Sequence, residues 1–169
     1  QARSAYTVKS TSTGFVVNAN DGSSTIDFSH IERLQFSDTK LALDLNGNAG
    51  AVAKVLGAVF GAGAVAQADY VGIGLQLADS GSSYAGLMQL ALDARLGAGA
   101  SHKAVVGLLW GNIVGGTPSA SDEAYYVSLL DSNALTPAAL GVLAADTDFN
   151  LQRIDLVGLS QSGLAYTGG

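Results

Sequence analysis

The chain is 169 residues long, with a formal net charge of −6, 48% apolar residues, 13% charged residues and no cysteine. That acidity argues against nucleic acid or an anionic membrane surface as a partner, and the lack of cysteine removes disulfides, thiolate catalysis and cysteine-based metal sites. The length suffices for a sizeable core, and no stretch approaches the ~20 uninterrupted apolar residues of a membrane-spanning helix.

Residues 4–45 read as β. Tyr6 and Val8, Phe15 and Val17, Ile26 and Phe28, Leu34 and Phe36, then Leu41, Leu43 and Leu45 alternate with polar neighbours, the period of half-buried strands. Between them lie turn residues at Thr13-Gly14, Asn20-Asp21-Gly22, Ser29-His30 and Ser37-Asp38. Strands this short, this closely spaced, predict a meander or the stacked coils of a β-roll, which must pack on a neighbour or continue an array.

From about residue 48 the period becomes helical. Val52, Val55, Leu56, Val59 and Phe60 share a face, as do Leu87, Leu90 and Ala91, and also Val105, Leu108, Leu109, Asn112 and Ile113. Ser82, Ser101, Thr117-Pro118 and Thr136-Pro137 are expected helix starts. AVAKVLGAVFGAGAVAQAD at 51–69 aligns on AVVGLLWGNIVGGTPSASD at 104–122, and the match continues from 79–93 to 131–146. The expected fold is therefore α+β: a β segment over 1–46, then a helical domain over 47–169 built from two three-helix repeats at 51–93 and 104–146. A last amphipathic stretch with Leu151, Ile154, Leu156, Val157 and Leu159 would cap the stack. The start at Gln1 rather than Met reads as a processed product or an excised piece.

Few residues suit catalysis. His30 falls in a turn and His102 at a helix start, both common places for surface or capping histidines. GLSQSG at 158–163 has serine where a nucleophile elbow needs glycine. Asp146 and Asp148 read as a helix-terminal loop. No catalytic residue is assigned, and the chain is read as a non-enzyme. The one suggestive constellation is Asp44-Leu-Asn46-Gly-Asn48, with oxygen ligands at alternate positions as at the start of a calcium loop. A calcium site there would borrow ligands from Asp38 or Asp21, and also from Asn18 or Asn20. The competing reading is a plain turn with Asn48 capping the next helix. Twelve Asp against two Glu, with little Lys, lean toward an extracellular protein.

The segment from Ile31 to Asp44, IERLQFSDTKLALD, resembles the stretch that closes the β-roll in secreted RTX (hemolysin-type calcium-binding repeat) proteins of Gram-negative bacteria. The helical part resembles the tandem-repeat domain of unknown function that follows it, with Leu109, Asn112, Gly115 and Pro118 at that family's spacing; Tyr125-Tyr126 stand where it carries a Tyr-Trp pair. The resemblance implies a non-catalytic C-terminal module exported by type I secretion machinery to the cell surface or medium, with its secretion signal at the extreme C-terminus. The expected function is export, surface attachment or self-assembly as a homo-oligomer or surface polymer. The alternative is a calcium- or carbohydrate-binding module, the latter resting on Asp122, Tyr125 and Tyr126.

Overall fold

The structure is a computed structural model and describes residues 1–168; Gly169, the last residue of the expected helical domain, lies outside the described residues. It is α+β. Strands β1 (Tyr6–Ser10), β2 (Phe15–Ala19) and β3 (Thr25–Phe28) form an antiparallel meander with β2 in the centre. β4 (Arg33–Gln35) and β5 (Lys40–Ala42) form a hairpin. Of the two arrangements compatible with the alternating pattern, the strands thus adopt the meander, in which every pairing is antiparallel.

Helices α1 (Asn48–Phe60), α2 (Ala68–Asp79), α3 (Tyr84–Leu96), α4 (His102–Ile113), α5 (Ala120–Asp131) and α6 (Pro137–Ala145) follow, then short α7 (Asp148–Arg153) and α8 (Leu156–Ser162). Their ends follow local chemistry. Ser101 and Thr136 cap α4 and α6 as expected, each accepting a backbone N–H three residues on, with Pro137 in the first turn of α6. Two expected starts move: α3 is capped by Ser83 rather than Ser82, and α5 by Ser119 rather than Thr117. At α1 the residue before the helix is Gly47, and Asn48 is already helical. The capping acceptor is Asp44, whose carboxylate takes the N–H of Ala49 at 3.3 Å.

The C-terminus departs most from expectation. After α8 the chain turns at Gly163, φ +83°, and forms a strand, β6 (Leu164–Tyr166), which pairs antiparallel with β5. The second sheet, β4-β5-β6, therefore draws strands from both sides of residue 46. Physically, Leu164 and Tyr166 bury their side chains in the helical core, while the strand N–H and C=O groups find partners on β5. Thr167 continues the attachment, donating its N–H to the Ala68 carbonyl at 3.1 Å and its hydroxyl to Asp69 on α2. Gly72 of α2 lies so close to the Thr167 carbonyl that a side chain there would overlap it.

This sheet divides two cores. Leu41 and Leu43 face a small cluster with Val8, Val17 and Phe15, while Ala42, between them, faces the large helical cluster. In the large core α1 is central, packed by α2, α3, α4, α6 and α7. Val52, Val55, Leu56 and Val59 are buried as their spacing predicts, as are Val105, Leu109 and Ile113. Leu90 and Val157, expected on apolar faces, are exposed, and so is Ile26 on β3. No helix among the described residues is long and apolar enough to cross a membrane.

Candidate functional site

Three places collect side chains that could act on something outside the fold: a charged node and two apolar grooves. The node centres on Arg33 of β4. Its Nη1 pairs with Asp44, and its Nη2 donates to both carboxylate oxygens of Asp79, at the end of α2, at 3.0 Å. Asn48 donates its amide to the same Asp79 at 2.8 Å. Burial works against the charged guanidinium, but Asp44 and then Asp79 outweigh it and hold the Arg33 pKa above its ordinary value. Burial also raises the pKa of the neighbouring Tyr166 phenol; the Arg33 charge opposes that rise and Asp79 and Asp44 add to it. The node welds the β4–β5 hairpin, the start of α1 and the end of α2 together.

Of the expected calcium ligands, the structure brings Asp44 and Asn48 together and adds Asp79, with the Arg33 cation already between the two carboxylates. Asn46 instead lines a shallow depression with Ser10 and Val157. Asp38 accepts the backbone N–H of Arg3 at 2.7 Å. Asp21 accepts the N–H of Ser23 at 2.9 Å in the β2–β3 turn, and hydrogen bonding from Ser23 lowers its pKa. Asn18 and Asn20 accept from Thr25 and Thr7. Among the described residues no group of three or more His, Asp or Glu side chains is placed to hold a metal ion.

The polar groups considered for catalysis have structural partners. His102 Nδ1 lies 2.6 Å from Asp131, and His30 Nδ1 lies 3.2 Å from the Ser29 hydroxyl. Ser160 and Ser162 donate their hydroxyls to the carbonyls of Val157 and Gly158. Asp146 accepts from Lys54 at 2.6 Å and from the Tyr84 hydroxyl at 3.1 Å. Asp148 begins α7, and Asp122, in the first turn of α5, accepts the hydroxyl of the capping residue Ser119 at 2.6 Å.

The grooves lie on the helical part. The larger, about 650 Å³, runs between α4, α5, α6 and the start of α7, floored by Val106, Leu109 and Ile113 and rimmed by Tyr125, Leu143 and Phe149. Tyr125, Leu143 and Phe149 are about 60% exposed. Trp110, Tyr126 and Tyr125 stand in a row along one wall, with ring centroids 6.4 and 5.2 Å apart. The smaller, about 360 Å³, lies between α1, α2 and α3, lined by Leu56, Phe60, Ile73, Leu77, Leu87 and Leu90 among others. The difference in volume has a cause. α2 is held by β6 and Thr167, and its Gly74 lets Val52 of α1 pack against its backbone. α5 packs chiefly on α4, buries only Leu130 and carries Tyr126 in the groove.

Sequence reasoning named Tyr125 and Tyr126 but missed Asp79, Trp110 and Phe149. Trp110 was detectable as the sole tryptophan; nothing in local spacing marks Asp79 or Phe149. No protein-family model, curated protein or solved structure matches the chain.

Proposed function

We propose that this chain is a non-catalytic interaction module of a secreted or cell-surface bacterial protein, acting in export, surface attachment or self-assembly into an extracellular layer or filament. The observation that carries this reading is the outer edge of β3. Among the described residues β3 pairs with β2 alone, and its Ile26 is 57% exposed. Of the other outer strands among the described residues, β6 lies under α2 and β1 against α8, while β4, only three residues long, pairs with β5 alone. A strand edge with a protruding β-branched side chain is a template for a strand from a second copy. The acidic, lysine-poor composition and the resemblance to RTX proteins support the extracellular, type I-secreted part of the reading.

A two-unit helical repeat fits the same picture. The grooves are lined at matching positions: Leu56 and Leu109, Phe60 and Ile113, Leu87 and Leu140, and Leu90 and Leu143 differ by 53 residues. On the middle helices, Ile73 and Tyr125, and Leu77 and Leu129, differ by 52. These are the offsets of the sequence match, and they support two units of common design.

Light scattering on the purified chain over a concentration series tests the assembly reading. The expected result is a mass that rises above the 17.0 kDa of one chain as concentration increases. A single 17.0 kDa species at every concentration, in calcium and in chelator, would rule out autonomous assembly.

A further inference from the structure

The larger groove deepens the interaction-module reading, on which it rests, by pointing to a ligand of its own. We propose that it binds one small, uncharged, mainly apolar molecule carrying an oxygen acceptor, such as a ketone, ester or ether.

Size decides between occupants. Val114, Tyr125, Leu143 and Phe149 are the exposed large apolar side chains at the groove. Two of them are aromatic, of the kind that presents about 150–250 Å² each, and two aliphatic; at 44–63% exposure they leave roughly 400 Å² open together. A stable protein interface takes about 800 Å² from each partner, so the groove is too small to hold a second copy on its own. Its volume of about 650 Å³ suits a single small molecule.

The lining decides the chemistry. Among the described residues no charged side chain lines the groove, so an ion entering it would lose hydration without a counter-charge. Among the described residues the Trp110 indole N–H and the Tyr125 and Tyr126 hydroxyls have no hydrogen-bond partner within the protein. Thr147, also in the wall, already donates its hydroxyl to the Ala144 carbonyl at 2.7 Å. Three donors with free valence along an apolar wall favour an acceptor-bearing guest. The smaller groove, with Phe60 and Tyr70 in edge contact, carries one such phenol, that of Tyr70.

Titration with prodan, an uncharged naphthalene ketone whose absorption overlaps tryptophan emission, tests this directly, because Trp110 is the only tryptophan. The expected result is saturable binding of one prodan per chain, a blue-shifted prodan emission and quenching of Trp110. Leu143→Asp and Phe149→Asp, at exposed positions that leave the circular dichroism unchanged, should each weaken binding at least tenfold. Leu90→Asp, in the other groove, should leave it unaltered. Unsaturable uptake, equal affinity in the Leu143→Asp and Phe149→Asp chains, or equal loss in Leu90→Asp would overturn the proposal. So would uptake that grows as the chain is diluted out of an oligomer, which would make a second copy the occupant. None of these results bears on assembly through β3, which the scattering mass reads separately.

Discussion

Asn150 of α7 donates its side-chain amide to the carbonyl of Lys54 at 3.1 Å, across 96 positions of chain, and also to the carbonyl of Ala145 at 2.8 Å. Among the described residues it is the one polar side chain in the buried core, 1% exposed, and it joins α1 to the end of α6. Gly57 makes room for it, since a side chain there would strike Asn150 Oδ1 and Ile154. Asn150→Leu leaves two buried carbonyls without that donor, a loss of about 1–3 kcal/mol. Urea denaturation should register this as a lower midpoint. An unchanged midpoint would mean that water replaces the amide without penalty.

Gly72 and Gly107 make a matched pair. Both sit inside helices, where Gly→Ala ordinarily stabilises by about 0.5–1 kcal/mol. Gly107 has open space around it, whereas a side chain at Gly72 would overlap the Thr167 backbone. Gly107→Ala should therefore raise the melting temperature and Gly72→Ala lower it, with faster amide exchange at Lys40 and Ala42, which pair with Tyr166 and Leu164, as β6 loosens. Equal effects from the two substitutions would argue that β6 does not stay seated on β5.

Tyr84 supplies a pH dependence. Burial, and then the nearby Asp146 carboxylate and its hydrogen bond, push the phenol well above its ordinary range. The folded state thus keeps a proton that the unfolded chain gives up near pH 10. The contribution is complete below that value and is lost as pH rises from about 10 toward the higher folded value. Denaturation midpoints between pH 8 and 11 should fall at the alkaline end, and Tyr84→Phe should reduce the slope. The same slope in the variant would place the dependence on other groups.

The node around Arg33 bears on calcium. With a guanidinium already between Asp44 and Asp79, millimolar calcium should shift the melting temperature of the native chain very little. Arg33→Ala leaves the carboxylates of Asp44 and Asp79 around a vacated cation position, so this variant should be less stable in chelator and regain stability with calcium. A large calcium response in the native chain, absent from Asp44→Ala, would instead place the metal at the loop of Asp44, Asn46 and Asn48.

Much of the frame follows from local pattern. The alternation at Val8, Val17 and Leu41 marks strands whose side chains are buried, and Ser101 and Thr136 cap helices where hydroxyls precede the apolar period. Other features depend on tertiary partners. Leu164 and Tyr166 are a strand only because β5 is there to pair with them; alone, a three-residue run after a helix has no periodicity to read. Leu90 has the spacing of a core residue, yet α3 turns it outward to rim a groove. Asp79 meets Arg33 from 46 positions away, beyond any local motif. Asp44, read as a metal ligand, caps α1 and pairs with a cation, two roles that a carboxylate fills with the same oxygens.

The central claim, assembly through the free edge of β3, is tested most directly by backbone amide exchange over residues 25–28 at low and high protein concentration. Protection of the outward-facing amides that appears only at high concentration, and disappears in Ile26→Lys, is the predicted result. Exchange at β3 that is fast and independent of concentration would contradict it.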